Sequence, residues 1–97
     1  KQYTDKAKIT QAIEGVAGEK IKVAENKSSG TALCTGVATS ADCDVTTGAL
    51  TGTSKDGTAE ITLTPTFSDT DATTWACVVT KSATAGFQTD SCDALAP

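Results

Sequence analysis

Ala59-Glu60-Ile61-Thr62-Leu63-Thr64-Pro65 is the stretch that decides the fold. Ala59, Ile61 and Leu63 alternate with Glu60, Thr62 and Thr64, and a period of two predicts a strand with one buried face and one wet face. Pro65 has no amide hydrogen to give a ladder, so it is expected to put the strand's end on a sheet edge. Downstream, Thr73-Thr74-Trp75-Ala76-Cys77-Val78-Val79-Thr80 is rich in β-branched and aromatic residues and sends Trp75, Cys77 and Val79 to one side, the expected core side. Upstream, a weaker strand is read over Val45 to Thr53, and Lys55-Asp56-Gly57 is the best hairpin turn in the chain. Three antiparallel strands are therefore expected in chain order.

Before residue 31 the period changes. Ile9, Ile13, Val16, Ala17, Ile21 and Ala24 recur at three- and four-residue steps, an apolar stripe on a helix whose other faces are Lys, Glu and Gln. Thr4 or Asp5 can cap its start, and Asn26 to Gly30 supply its stop, giving about twenty residues or roughly 30 Å of helix. Gly15 and Gly18 each weaken it by roughly 1 kcal/mol against alanine, so the helix is expected to depend on packing. The change of period coincides with a change of composition. The first 30 residues hold six of the eight lysines and two of the nineteen threonines, with a formal charge of +2 against -6 for the remainder. No internal repeat is present, and the Thr/Ser-rich second half keeps its periodic apolar positions.

With 97 residues the chain fits one domain, and with 38% apolar and 4% aromatic residues its core is small enough to need help. Four cysteines offer that help and point to an oxidising compartment. There is no histidine, which excludes imidazole acid/base and triad chemistry and makes an enzyme improbable. All eight basic residues are lysines, the net charge is -4, and nucleic-acid binding by a basic face is disfavoured. No run of 18 apolar residues offers a membrane span. Because the sequence opens without methionine and enters the helical pattern at once, it is expected to be a trimmed fragment.

Four cysteines allow three pairings. Cys34 with Cys43 and Cys77 with Cys92 closes the smallest loops, eight and fourteen intervening residues, each within one composition block, and is favoured. The spacings lack the close pairs that zinc requires. Asp42 and Asp44 flank Cys43, and Asp90 and Asp93 flank Cys92; they could offer oxygens to calcium but lack the loop spacing it uses, and solvated loop acids are the favoured reading. No metal or other cofactor is expected. Asn26-Lys27-Ser28 fits the N-glycosylation triplet with little force, and the threonine density allows O-linked sugar without naming a site.

A lysine-bearing amphipathic helix, a meander of threonine-rich strands and a C-terminal loop bounded by two cysteines together resemble a type IV pilin. Gln2-Tyr3-Thr4-Asp5-Lys6-Ala7-Lys8-Ile9 looks like the segment after the pilin membrane helix. Ala59 to Pro65, then Trp75-Ala76-Cys77, then Cys92, look like the closing strands and disulfide loop. The order and distances of these motifs carry the likeness, which spans most of the chain. The hydrophobic N-terminal segment with its glutamate is missing, and the pair Cys34 and Cys43 is a departure, since many such pilins carry only the C-terminal bridge.

The resemblance implies an α+β fold, with an N-terminal amphipathic helix packed on a three- to four-stranded antiparallel sheet and two disulfides. It divides one domain, 1–97, into helix 1–26, connection 27–44, sheet 45–80 and C-terminal disulfide loop 77–92. It further implies a structural subunit, held in the inner membrane through the missing segment and polymerising with other pilin subunits into a surface filament of a Gram-negative bacterium. Such filaments serve adhesion, twitching motility or DNA uptake. The alternatives are a minor pilin, or a pseudopilin of a type II secretion system. A secreted carbohydrate-binding or inhibitor module would want more exposed aromatics than Tyr3, Phe67, Trp75 and Phe87 provide. Contact with a host-cell or abiotic surface is expected from the loop between Cys77 and Cys92, whose candidate residues are Lys81, Thr84, Gly86, Phe87, Gln88 and Asp90. Trp75, beside Cys77, is read as core packing, and Phe87 as either a loop anchor or a contact residue.

Overall fold

The computed structural model describes residues 2–68, 70 and 72–81. It is α+β, one bent helix laid on a three-stranded antiparallel sheet. The helix comes in two segments, α1 (Gln2–Ala17) and α2 (Glu19–Ser29), separated at Gly18. A 3-10 turn, Thr39–Ala41, interrupts the connection to β1 (Leu50–Thr53), β2 (Glu60–Thr66) and β3 (Thr74–Lys81). The sheet order β1-β2-β3 is a meander, as the alternation predicts. A fourth strand would have to come from outside the described residues.

The helix is longer than the stop at residue 26 suggests. It starts by Gln2, so Thr4 and Asp5 lie inside it rather than before it, and it runs to Ser29. Gly30, at φ 74°, then turns the chain in the left-handed conformation, its amide donating back to the carbonyls of Asn26 and Lys27.

Ile9, Ala12, Ile13, Val16 and Val23 are the helix's buried side chains, whereas Ile21 is 64% exposed. The expected stripe therefore holds up to Val16 and fails at Ile21. Each four-residue step overshoots a full turn by about 40°, so the path Ile13, Ala17, Ile21 walks roughly 80° round from Ile13 and off the buried line, and Val23, seven residues after Val16, returns to it.

From the sheet, Leu50, Ile61, Leu63, Cys77 and Val79 face the helix, with Phe67 and Trp75 half-buried at the margin. Each fully buried Leu, Ile or Val contributes about 1.5–3 kcal/mol by leaving water. Gly52 on β1 is also inward and buried, and it marks where α1 comes closest to the sheet.

The first strand is shorter than its reading over Val45 to Thr53. The Asp44 carboxylate accepts the amides of Thr46 and Thr47 at 2.8 and 3.1 Å, the Gly48 amide returns to the Asp44 carbonyl at 2.7 Å, and the chain stays a turn until Ala49. Val45 is consequently 78% exposed. Gly48 closes this turn at φ 79°, and a Cβ there would lie 2.9 Å from Val23 Cγ1, so space and backbone both require glycine.

β2 is the central strand, but its end at Pro65 runs past the pairing with β1 and is locally an open edge, as the missing amide hydrogen leads one to expect; Pro65 is buried and pairs with Trp75. The proline is tolerated because the β1 ladder stops at the Leu50–Leu63 pair, leaving β3 as its one strand neighbour.

The turn read at Lys55-Asp56-Gly57 lies between β1 and β2. Ser54 and Ala59 close it through Ser54 N–H to Ala59 carbonyl at 2.9 Å, and Gly57 donates to Ser54 carbonyl at 3.0 Å. Asp56 Oδ1 accepts Ser54 Oγ (2.8 Å), Thr58 Oγ1 (2.8 Å) and Thr58 N–H (3.0 Å), while Oδ2 takes Lys8 Nζ of α1 at 2.8 Å. Gln11 Oε1 of α1 accepts the Lys55 amide at 2.9 Å. The hairpin tip is thereby tied to the helix at two points.

Candidate functional site

The connection from α2 to β1 is built from the helix outward. Asn26, on the last turns of α2, donates through Nδ2 to the carbonyls of Leu33 (2.8 Å) and Thr35 (2.9 Å). Glu19, in the first turn of α2, accepts the Ala38 amide on Oε1 at 2.7 Å and Lys22 Nζ at 3.1 Å. Cys34 and Cys43 are joined by a disulfide with Cα atoms 5.8 Å apart, the pairing expected from their proximity in sequence. A connection of this length would otherwise carry many unpaired backbone groups. Here two helix side chains, one disulfide and the Asp44 turn organise it.

Glu19, Asp44 and Asp56 are all held below the usual carboxylate range. The first cause is the Ala38 amide for Glu19, the Thr47 amide for Asp44 and the Lys8 ammonium for Asp56. A carboxylate held this way stays ionised at neutral pH and is a weak general base, so these three act as anionic anchors for backbone.

Asp44, considered above with Asp42 as a source of calcium ligands, directs its Oδ1 to two amides. Among the described residues no cluster of three or more His, Cys, Asp or Glu is placed to hold a metal ion. Asn26 of the glycosylation triplet has its Nδ2 committed to two carbonyls, and a sugar on that nitrogen would have to break both contacts.

Of the proposed contact loop, Cys77 and Lys81 fall within β3, Cys77 buried in the core and Lys81 exposed at the strand's end. Thr84, Gly86, Phe87, Gln88, Asp90 and Cys92 lie outside the described residues, as does Asp93. No described cysteine is a free thiol.

Two surface features escaped the sequence reading. A cleft of about 480 Å³ opens beside the end of α2, lined by Ala24, Lys27, Phe67, Ser68, Thr70 and Thr73 among others. Lys27 Nζ stands 5.3 Å from the centre of the Phe67 ring, a cation–π distance. Among the described residues the cleft's polar groups include the Lys27 ammonium and the hydroxyls of Ser28, Ser68, Thr70 and Thr73, beside the Phe67 ring, a set suited to hydrogen bonding. The pairing of Lys27 with Phe67, forty residues apart, has no local signal.

The second feature is the sheet's outer face, away from the helix. Along β2 it presents Glu60, Thr62, Thr64 and Thr66, and along β3 Thr74, Ala76, Val78 and Thr80. At one end of these rows Glu60 pairs with the exposed Lys81 in the register, and its Oε1 accepts the Thr80 hydroxyl at 2.9 Å. The alternation marks Glu60, Thr62 and Thr64 only as the wet side of a strand and carries no signal of what lies opposite them on β3.

No described helix is long and apolar enough to cross a membrane. Comparison with protein-family models, with curated proteins and with solved structures returns no match for this chain.

Proposed function

We propose that this chain is the globular domain of a type IV pilin, a non-enzymatic structural subunit of a bacterial surface filament used for adhesion, twitching motility or DNA uptake. The observation that carries the reading is the arrangement of a bent amphipathic helix across an antiparallel meander. In this reading the helix has two faces with two tasks. Ile9, Ile13, Val16 and Val23 belong to the chain's own core, and the outward side, including Ile21, is left for a neighbouring subunit.

The second disulfide is part of the proposal: with Cys34 joined to Cys43 and no described cysteine free, Cys77 pairs with Cys92. The segment between them starts where β3 ends at Lys81, and it is the proposed contact with cells or surfaces. Partners on this reading are further copies of the subunit, the inner membrane before assembly, and a receptor on the surface contacted.

The test is immunogold electron microscopy of the source bacterium with antibody raised against this chain, in parent and gene-deletion strains. Filaments labelled along their length, and missing from the deletion strain, are the expected result. Unlabelled filaments that persist after deletion would overturn the proposal.

A further inference from the structure

Asp56-Gly57 is the one Asp-Gly step in the chain. At such a step an aspartate reacts most readily with its own backbone, because glycine puts no side chain in the way of its nitrogen. The reaction needs only water. The Gly57 nitrogen attacks Cγ of Asp56, the N–Cγ bond forms, and one carboxyl oxygen leaves as water, carrying the acid proton and the amide proton. Water then opens the five-membered imide. When it cleaves the bond between the Gly57 nitrogen and the main-chain carbonyl carbon of Asp56, the chain is left running through Cγ, an isoaspartyl linkage of unchanged mass.

The folded hairpin engages every atom that this reaction has to free. The Gly57 amide, the attacking group, donates to the Ser54 carbonyl at 3.0 Å. Closing the ring expels one of the two carboxylate oxygens, and both are held: Oδ1 by the hydroxyls of Ser54 and Thr58 and the Thr58 amide, Oδ2 by Lys8 Nζ at 2.8 Å. Whichever oxygen leaves, either the turn's own bonds or the tie to α1 goes with it. Departure as water also needs a protonated oxygen, and these donors, Lys8 first, keep the carboxyl ionised. Burial is not the protection, since the Asp56 side chain is 47% exposed and open to water. Of the donors to Asp56, Lys8 alone comes from outside the hairpin, supplied by α1 beside the Gln11 contact to the Lys55 amide.

We infer that Asp56–Gly57 is a site of isoaspartate formation, held closed by the docking of α1 on the hairpin tip. With Lys8 in place Oδ2 is neither protonated nor free to leave, and with α1 lifted it is both. The product does not re-form the native contacts. Its backbone is longer by one methylene and its remaining carboxylate springs directly from Cα, so the four donors no longer meet a matching acceptor. Undocking of the helix is thereby converted into a covalent change in the hairpin. The inference stands on α1 and the β1–β2 turn and does not depend on the filament reading.

The experiment incubates the full chain, disulfides intact, at about pH 7.4 and 37 °C for several weeks beside a synthetic peptide of residues 51–62. Isoaspartate at position 56 is separated by chromatography and identified by electron-transfer fragmentation. The folded parent should accumulate it at least tenfold more slowly than the synthetic peptide. Lys8→Gln should isomerise at least threefold faster than the parent, and Lys8→Arg, which keeps a charged donor, should stay within twofold of it. Asn26→Ala, which weakens the connection after α2 and leaves the hairpin alone, should also stay within twofold. A synthetic peptide that does not isomerise, a parent that keeps pace with it, or a Lys8→Gln rate at the parent's level would overturn the inference. Equal acceleration in Lys8→Gln and Asn26→Ala would overturn it too, because the protection would then lie in overall stability and not in the helix contact. Circular dichroism checks that each variant is folded, and Lys8→Met repeats the helix test should Lys8→Gln fail to fold.

Discussion

Gly52 of β1 and the carbonyl of Ala12 in α1 are in direct contact, with no room for a Cβ between them. An added carbon would also lie 3.1 Å from Val16 Cγ2, so alanine at 52 has to lift the helix off the sheet. Gly52→Ala is expected to lose at least about 1–3 kcal/mol, the usual range for overpacking a core. Gly15 is the opposite case, exposed on the helix with nothing within 4 Å of a new Cβ, and Gly15→Ala should gain about 0.5–1 kcal/mol. Urea unfolding of both variants checks the pair, and a Gly52→Ala midpoint at or above the parent's would refute the close approach.

Removing the Cys34–Cys43 bridge frees the connection in the unfolded chain without emptying the main core. A loop of about ten residues predicts a loss of roughly 2–3 kcal/mol for the Cys34→Ser/Cys43→Ser double variant. Non-reducing peptide mapping should recover Cys34 with Cys43 and, on the proposed pairing, Cys77 with Cys92. A peptide joining either of the first two to either of the last two would contradict it.

Asn26→Ala leaves the carbonyls of Leu33 and Thr35 without their donor and should lower stability by about 1–2 kcal/mol. Hydrogen exchange offers the sharper readout. The amides of residues 35–41 should exchange faster while those of β2 and β3 keep their relative protection, and uniform acceleration would mean that Asn26 supports the whole fold.

Acid should weaken the protein through Asp56, Asp44 and Glu19, whose carboxyls all sit below their ordinary range. A folded-state pKa lower than the unfolded value gives stability that is present above the unfolded pKa, about 3.9 for Asp, and fades as pH falls below it. Unfolding midpoints should be flat from about pH 5 to 7 and drop below about pH 4. Asp56→Asn should be less stable than the parent at pH 6 and show a shallower acid decline. Parallel declines in the two proteins would remove Asp56 from this role.

If the segment after Lys81 makes the external contact, Phe87→Ala and Gln88→Ala should reduce attachment of intact filaments while stability stays within about 1 kcal/mol of the parent. Attachment assays on the source bacterium, paired with thermal melts of the purified chain, separate binding from folding. Normal attachment together with a collapsed melt would make the segment a staple.

The sequence by itself determined what neighbouring residues decide. Alternation over Ala59 to Leu63 and over Trp75 to Val79 set two strands and their buried faces, and Asp56 with Gly57 set the turn before them. Helical spacing carried the stripe through Val16, and proximity paired Cys34 with Cys43. Each rests on local geometry, a period of 2 or 3.6 or a short loop, which the chain carries into any context.

Tertiary structure decided where one element meets another. Ile21 and Val23 are both apolar in sequence, and packing buries Val23, whose Cγ1 lies beside Gly48 of the Asp44 turn, while leaving Ile21 in water. Val45 has strand propensity, yet the Asp44 carboxylate holds the amides that follow it in a turn. Pro65 finds its open edge within the central strand, because β1 ends two residues short of it, and the length of β1 is not written in the proline. Asn26 reads as a helix stop and serves as the donor for a loop seven to nine residues further on. On the outer face the register of two strands sets Thr62, Thr64 and Thr66 against Val78, Ala76 and Thr74. All of these depend on partners distant in the chain, whose identity is fixed only once the helix and sheet have packed.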